Sequence, residues 1–254
     1  MPFWYSMHNI VLQIGLRAHG IKAVIKPQTA ELAPDECNLQ VLPPPEMPPA
    51  LAARKIDGYI VAEPFNAFGE IKAGARMLRF TGDIWKNHPC CVVTMHERDT
   101  VERPEWTQKV INAIVRAQIY TSHNKKEVAH LLSKDGRAYL PMPAPVVERA
   151  MTYYDSEFYG PTGAIKHGKE WGNGRIDFQP WPYPSATKLI VESMNETVVE
   201  GDTTFLQDLD PAFAAEDLVN YEFVRKAIER FPEWADAPSV SPEHPFERGE
   251  VVSV

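Results

Sequence analysis

Three short stretches of this chain gather the residue types that recognise small polar molecules. Ser6-Met7-His8-Asn9 opens an apolar-periodic run, which places His8 in the first turn of a helix. Free backbone N–H groups and the positive end of the macrodipole collect there, and a histidine adds a further donor. Such a start can hold an anion or polar ligand; the plainer role for His8 is to support the cap from the surface. Glu63 ends the apolar run Gly58-Tyr59-Ile60-Val61-Ala62, at the strand end where open α/β sheets bind ligands. Its carboxylate suits an amine, an amide or a cation; the alternative is a salt-bridged or helix-start glutamate beside Pro64. Phe65 and Asn66 adjoin it and can wall or orient a ligand. Trp85, His88, Cys90 and Cys91 form the third stretch, ahead of another apolar run. A Cys–His nucleophile is one reading, but such pairs usually meet through the fold, and no hydrolytic motif accompanies these. Buried structural thiols are the simpler alternative.

The elements that must position these groups follow from periodicity and breakers. Ser6 caps a helix to about His19, stopped by Gly20, with Ile10, Val11, Ile14 and Ala18 as its apolar stripe. Further helices are predicted over Met47–Lys55 and from Pro64 to about Ala73. Strands are predicted over Asn38–Leu42, Asp57–Ala62, Met77–Phe80 and Cys91–Met95. Helical patterns then dominate, over Glu105–Ser122, Lys125–Leu132, Pro145–Tyr154, Ala186–Val199 and Leu218–Arg230. The fold class that follows is α/β, with a mainly parallel sheet from residues 36–96, flanking helices and a helical C-terminal half. Three clusters of proline read as turns and rigid crossings, and the Gly-rich segment Gly160–Gly174 reads as a surface loop. The expected division is an α/β ligand-binding lobe over 1–122, a helical part over 123–234, and an extended, poorly packed tail over 235–254.

Composition excludes several classes. At 254 residues, 44% hydrophobic and 24% charged, the chain has the make-up of a globular protein, with a mean hydropathy of −0.31. A net charge of −8 without a Lys/Arg cluster argues against a nucleic-acid partner. Cys37, Cys90 and Cys91 form neither a disulfide framework nor a Cys-x-x-Cys metal pattern, so free thiols are expected. The remaining histidines (His19, His96, His123, His130 and His167 among them) have no ligand spacing, and no metal or cofactor is expected. The chain opens Met1-Pro2-Phe3-Trp4-Tyr5, without a signal-peptide pattern.

In order and spacing, several features together resemble the second lobe of solute-binding proteins of nitrate/sulfonate/taurine/bicarbonate-type ABC importers. They are the Ser6-x-His8-Asn9 helix start, Pro43-Pro44-Pro45-Glu46-Met47, Lys55-Ile56-Asp57-Gly58, Val61-Ala62-Glu63-Pro64-Phe65-Asn66, and Asp83-Ile84-Trp85 with His88-Pro89. The resemblance covers residues 3 to about 231. It implies a type II periplasmic-binding-protein fold, a small-molecule solute, and no catalysis. It implies ABC permease and ATPase subunits as partners, and a periplasmic or membrane-tethered place that meets the membrane only through the permease. It also implies Ser6, His8, Asn9, Glu63, Phe65, Asn66, Trp85, His88 and Cys91 as ligand-binding residues, converging on one cleft.

Nitrate-type members carry a lysine, and bicarbonate-type members a carboxylate, where Cys91 stands. That departure turns expectation from those anions toward neutral or aromatic solutes. The family is also similar to thiamin-pyrimidine synthases, so an enzyme of that branch and a non-transporting ligand sensor are the alternatives. The resemblance begins where the family is already about halfway through, so a truncated binder with weak affinity and exposed apolar C-terminal helices is expected.

Overall fold

The computed structural model describes residues 1–172 and 174–254. It is α/β, with a small parallel sheet and many helices. Helix α1 (Met7–Ala18) starts where the Ser6 hydroxyl accepts from the Asn9 amide, and it ends at Gly20, whose φ of +71° suits a residue without Cβ. Strands β1 (Lys22–Val24) and β2 (Glu36–Asn38) follow and pair in parallel, Lys22 opposite Glu36 and Val24 opposite Asn38. Helices α2 (Met47–Ala52) and α3 (Phe65–Lys72) come next. The later chain is helical: α4 (Glu97–Glu102), α5 (Pro104–His123), α6 (Lys125–Leu132), α7 (Ala144–Thr152), α8 (Ser156–Tyr159) and α9 (Gly168–Trp171). It closes with α10 (Pro184–Met194), α11 (Pro211–Asp217) and α12 (Tyr221–Ile228). Pro104, Pro184 and Pro211 sit in the first turns of α5, α10 and α11, where a missing N–H costs nothing.

The sheet is smaller than predicted. Asn38–Leu42 meets a strand only at Asn38, Asp57–Ala62, Met77–Phe80 and Cys91–Met95 are not strands, and no backbone hydrogen bond between described residues joins these last three runs to one another or to β2. An extended run becomes a strand only when a neighbour lies within ladder distance, and apolar composition carries no information about that neighbour. These runs leave Leu78, Val92 and Val93 exposed, at 87%, 76% and 49%.

Among the described residues four apolar clusters form the core, and each draws on both sides of residue 122. The largest joins Val11, Ile84, Trp85 and Val115 to Trp181, Tyr183, Ala227, Ile228 and Trp234. A second seats Ala67 of α3 among Val128, Val146, Val147 and Met151. Phe80 packs with Tyr159 and Ile165, and Ile10 with Met194 and Leu206. Helices α10 and α12, expected to expose their apolar faces, instead supply Ala186, Val191, Ala227 and Ile228 to the interior. The tail departs from expectation too. Trp85 Nε1 donates to Glu250 Oε2 at 2.7 Å, the Lys86 amide donates to the Val251 carbonyl, and the Ser253 amide donates to the Ile84 carbonyl. The indole offers the tail an apolar surface and one donor, and the tail takes both. Asn173 of the predicted Gly-rich loop lies outside the described residues.

Candidate functional site

The site is built on the start of α1 and the loop after Phe80. Both N-cap functions of Ser6 are used locally: its hydroxyl donates to the Phe3 carbonyl at 2.7 Å and accepts from the Asn9 amide at 3.3 Å. Asn9 is fully buried; its Nδ2 donates to the Trp4 and Val198 carbonyls, and its Oδ1 accepts from Gln13 Nε2. Gln13 in turn donates to the Val198 carbonyl and accepts from the Val198 amide. The two carboxamides, four residues apart on one helix face, pin α1 to the segment after α10. Each is fully satisfied, as buried amides must be.

Between these anchors His8 turns toward a large cavity of about 2600 Å³. Its Nε2 lies 3.9 Å from Cys90 Sγ, and Cys90 Sγ lies 3.6 Å from Cys91 Sγ. Burial, then the nearby His88, pushes the His8 imidazole down to about 4, so it is neutral at pH 7. His88 joins the same wall. Its Nδ1 is 2.9 Å from the Pro89 carbonyl and its Nε2 is 2.8 Å from the Thr81 hydroxyl. A carbonyl only accepts, so Nδ1 carries the proton and Nε2 accepts from Thr81. Burial lowers His88 as well, keeping it neutral. The paired thiols split in the opposite sense: the hydrogen bond with Cys90 holds Cys91 down to about 6, and the same contact with burial pushes Cys90 up. At neutral pH this end of the cavity therefore offers two neutral imidazoles, a hydroxyl and two thiols, of which Cys91 is the more acidic. None of these five groups is cationic.

Glu63 and Asn66 line the same cavity, but each is engaged. Glu63 Oε1 accepts from Arg175 Nε at 2.6 Å and Oε2 accepts from the Ala67 amide at 3.1 Å, capping α3. Arg175, whose side chain is wholly buried, also donates to Glu70 Oε2 at 2.7 Å. Glu70 Oε1 receives Arg149 at 3.1 Å and the Tyr159 hydroxyl at 2.6 Å. Burial raises Glu63, with Arg175 opposing; for Glu70 the hydrogen bonds from Arg149 and Tyr159 overcome burial and lower it. Asn66 Nδ2 donates to the Val61 carbonyl at 2.6 Å.

Of the nine predicted residues, His8, Glu63, Asn66, His88 and Cys91 line the cavity, whereas Ser6, Asn9, Phe65 and Trp85 do not. Phe65 packs beside the α3–α7 cluster, and Trp85 is fully buried in the main core. Sequence reasoning missed Thr81 as the partner of His88, and Arg175 as the centre of the charge network. A lone arginine after a Gly-rich segment carries no marker of partners far away in sequence. Among the described residues no group of three or more His, Cys, Asp or Glu could hold a metal ion, and no helix is long and apolar enough to cross a membrane.

The sequence pattern of the NMT1-like family matches residues 1–133, and the chain belongs to that family. It is 32% identical over 147 residues to the nitrate/nitrite binding protein NrtA of Nostoc sp., covering 56% of this chain and 30% of that one. It is 30% identical over 138 residues to the bicarbonate transport ATP-binding protein CmpC of Synechocystis sp., covering 53% of this chain and 19% of that one. The nitrate import ATP-binding protein NrtC of Synechocystis sp. is 31% identical over 116 residues, covering 45% of this chain and 16% of that one. The chain thus spans under a third of the length of these relatives. No solved structure matches it.

Proposed function

We propose that this chain is a solute-binding component of an ABC-type uptake system, and that its solute sits at the His8–Cys91 end of the cavity. Family membership supports the class; the convergence of His8, Thr81, His88, Cys90 and Cys91 on one wall is the observation that carries the site. In this reading the fold is one lobe of a type II periplasmic binding protein acting outside the inner membrane. Its partners are the permease and ATPase subunits that the names of its relatives suggest, and it catalyses nothing. Ser6 and Asn9 hold α1 in place, and Glu63 and Asn66 hold α3, so both pairs act through position.

The local electrostatics set the solute class. The neutral imidazoles offer nitrate and bicarbonate no charge, and Cys91 is an acidic thiol rather than a cation, whereas a neutral or amine-bearing solute finds donors and acceptors. The cavity far exceeds the ~300–1,000 Å³ of ordinary ligand sites, so one wall leaves most of a small solute in water. Affinity for residues 1–254 is expected near millimolar, roughly 4 kcal/mol. Imidazole resonances of His8 and His88 report such binding directly. Titration with an aminopyrimidine or taurine is expected to move both signals, and nitrate or bicarbonate to leave them still. Nitrate shifting His8 at lower concentration than either test solute would overturn the assignment.

A further inference from the structure

We propose that Cys90 and Cys91 are a redox-modification site, closing reversibly into a disulfide between adjacent residues at the rim of the cavity. Both thiols are free and exposed, and their sulfurs stand 3.6 Å apart. A disulfide needs about 2.0 Å, so side-chain rotation with a small backbone adjustment closes the gap. The backbone is able to adjust: Cys91–Met95 belongs to no helix or strand, and no backbone hydrogen bond to another described residue restrains it. Cys37, the third cysteine, is half-buried at the centre of β2 and free.

Adjacency dictates the character of the bond. Neighbouring Cα atoms lie about 3.8 Å apart, below the ~4.4–6.8 Å usual for disulfides, so the bridge is strained. Strained, exposed bridges have high reduction potentials and open readily, which suits a reversible modification rather than a structural staple. Cys91, the more acidic of the pair through its contact with Cys90, loses its proton to solvent and supplies the attacking thiolate. With a small disulfide such as glutathione disulfide as oxidant, Cys91 Sγ attacks one sulfur and expels one glutathione thiolate. Cys90 then gives its proton to solvent and attacks Cys91 Sγ, expelling the second. Two protein thiols and one glutathione disulfide become one protein disulfide and two glutathiones; two electrons pass from the protein to the oxidant. Closure removes both thiol protons from the wall and leaves a disulfide sulfur, which cannot donate, beside His8. If the solute reading above holds, oxidation thereby alters solute binding.

The test is intact-mass spectrometry of the 254-residue chain equilibrated in glutathione redox buffers and quenched by alkylation. The expected product has lost two hydrogens, with Cys90 and Cys91 protected, Cys37 alkylated, and full reversal by excess reduced glutathione. Cys91→Ser, at an exposed position, is expected to take up a single glutathione on Cys90 or stay unchanged, and never to lose two hydrogens. Stable glutathione adducts on wild-type Cys90 or Cys91, a bridge to Cys37, or a disulfide-linked dimer would overturn the proposal. A bridge that forms in a chain whose imidazole signals answer to no test solute supports this site and sinks the solute reading, so the two failures are separable.

Discussion

His8 couples the candidate site to stability. Its pKa falls from 6.5 in the unfolded chain to about 4 in the folded one, so between these values the unfolded state binds more protons. Stability from the neutral folded imidazole is therefore complete above the unfolded value and is lost as pH falls through this window. The expected loss at pH 4, discounted for partial exposure, is on the order of 2 kcal/mol. His88, also lowered by burial and facing His8, adds in the same sense. Denaturant midpoints measured from pH 7 to pH 4 are expected to fall more steeply for the wild type than for His8→Gln. Parallel profiles would show that His8 does not titrate this way.

At the scale of elements, the Arg175 network ties α3 to α7, α8 and the loop before α10. Arg175 is wholly buried, and Glu63 and Glu70 retain side-chain exposures of 10% and 9%. Removing the central cation strands two carboxylates with little water. Arg175→Ala is expected to cost about 3–5 kcal/mol, and Arg175→Met as much or slightly less, since neither restores a donor. Glu63→Gln, which keeps an acceptor for the Ala67 amide and sheds a charge that burial already disfavours, is expected to cost less. Thermal melts of the three variants give the order directly; an Arg175→Ala protein as stable as Glu63→Gln would show that the network does not carry this load. A buried ion pair is not itself evidence of large net stabilisation, but breaking one side of it is costly.

The whole molecule is held by cores that ignore the expected boundary at residue 122. Val11 and Val115 share a cluster with Ala227 and Ile228, and Ala67 shares one with Val146. Loss of either half therefore exposes the apolar surface of the other. Calorimetric unfolding is expected to show a single transition, with calorimetric and van't Hoff enthalpies in agreement. Two resolved transitions would favour separate lobes. The tail belongs to the same unit, because Glu250 satisfies the buried Trp85 indole and Val252 bridges its backbone. Truncation before Phe246 is expected to lower the melting temperature by removing that partner and the ring that packs on Trp181 and Trp234.

Local signals determined α1, α3, α5, α6, α7, α10 and α12, whereas α4, α8, α9 and α11 were not predicted, and α9 falls inside the expected Gly-rich loop. Ser6 as a cap, Gly20 as a stop, prolines at first turns and 3.6-residue periodicity are properties of neighbours in sequence, and neighbours decide whether a helix forms. The order of motifs from Ser6 to Cys91 was likewise enough to reach the family, and His8 with the Cys90–Cys91 pair was legible as a candidate group. Tertiary structure decided which polar residues face the cavity. Ser6 and Asn9 look like ligand residues by type, yet their hydrogen-bonding capacity is spent on Phe3, Trp4, Gln13 and Val198. Glu63 meets Arg175, 112 positions away, and no spacing rule reaches that far. The strands failed for the same reason: apolar runs such as Asp57–Ala62 specify an extended chain, while a strand needs a partner that only the fold supplies.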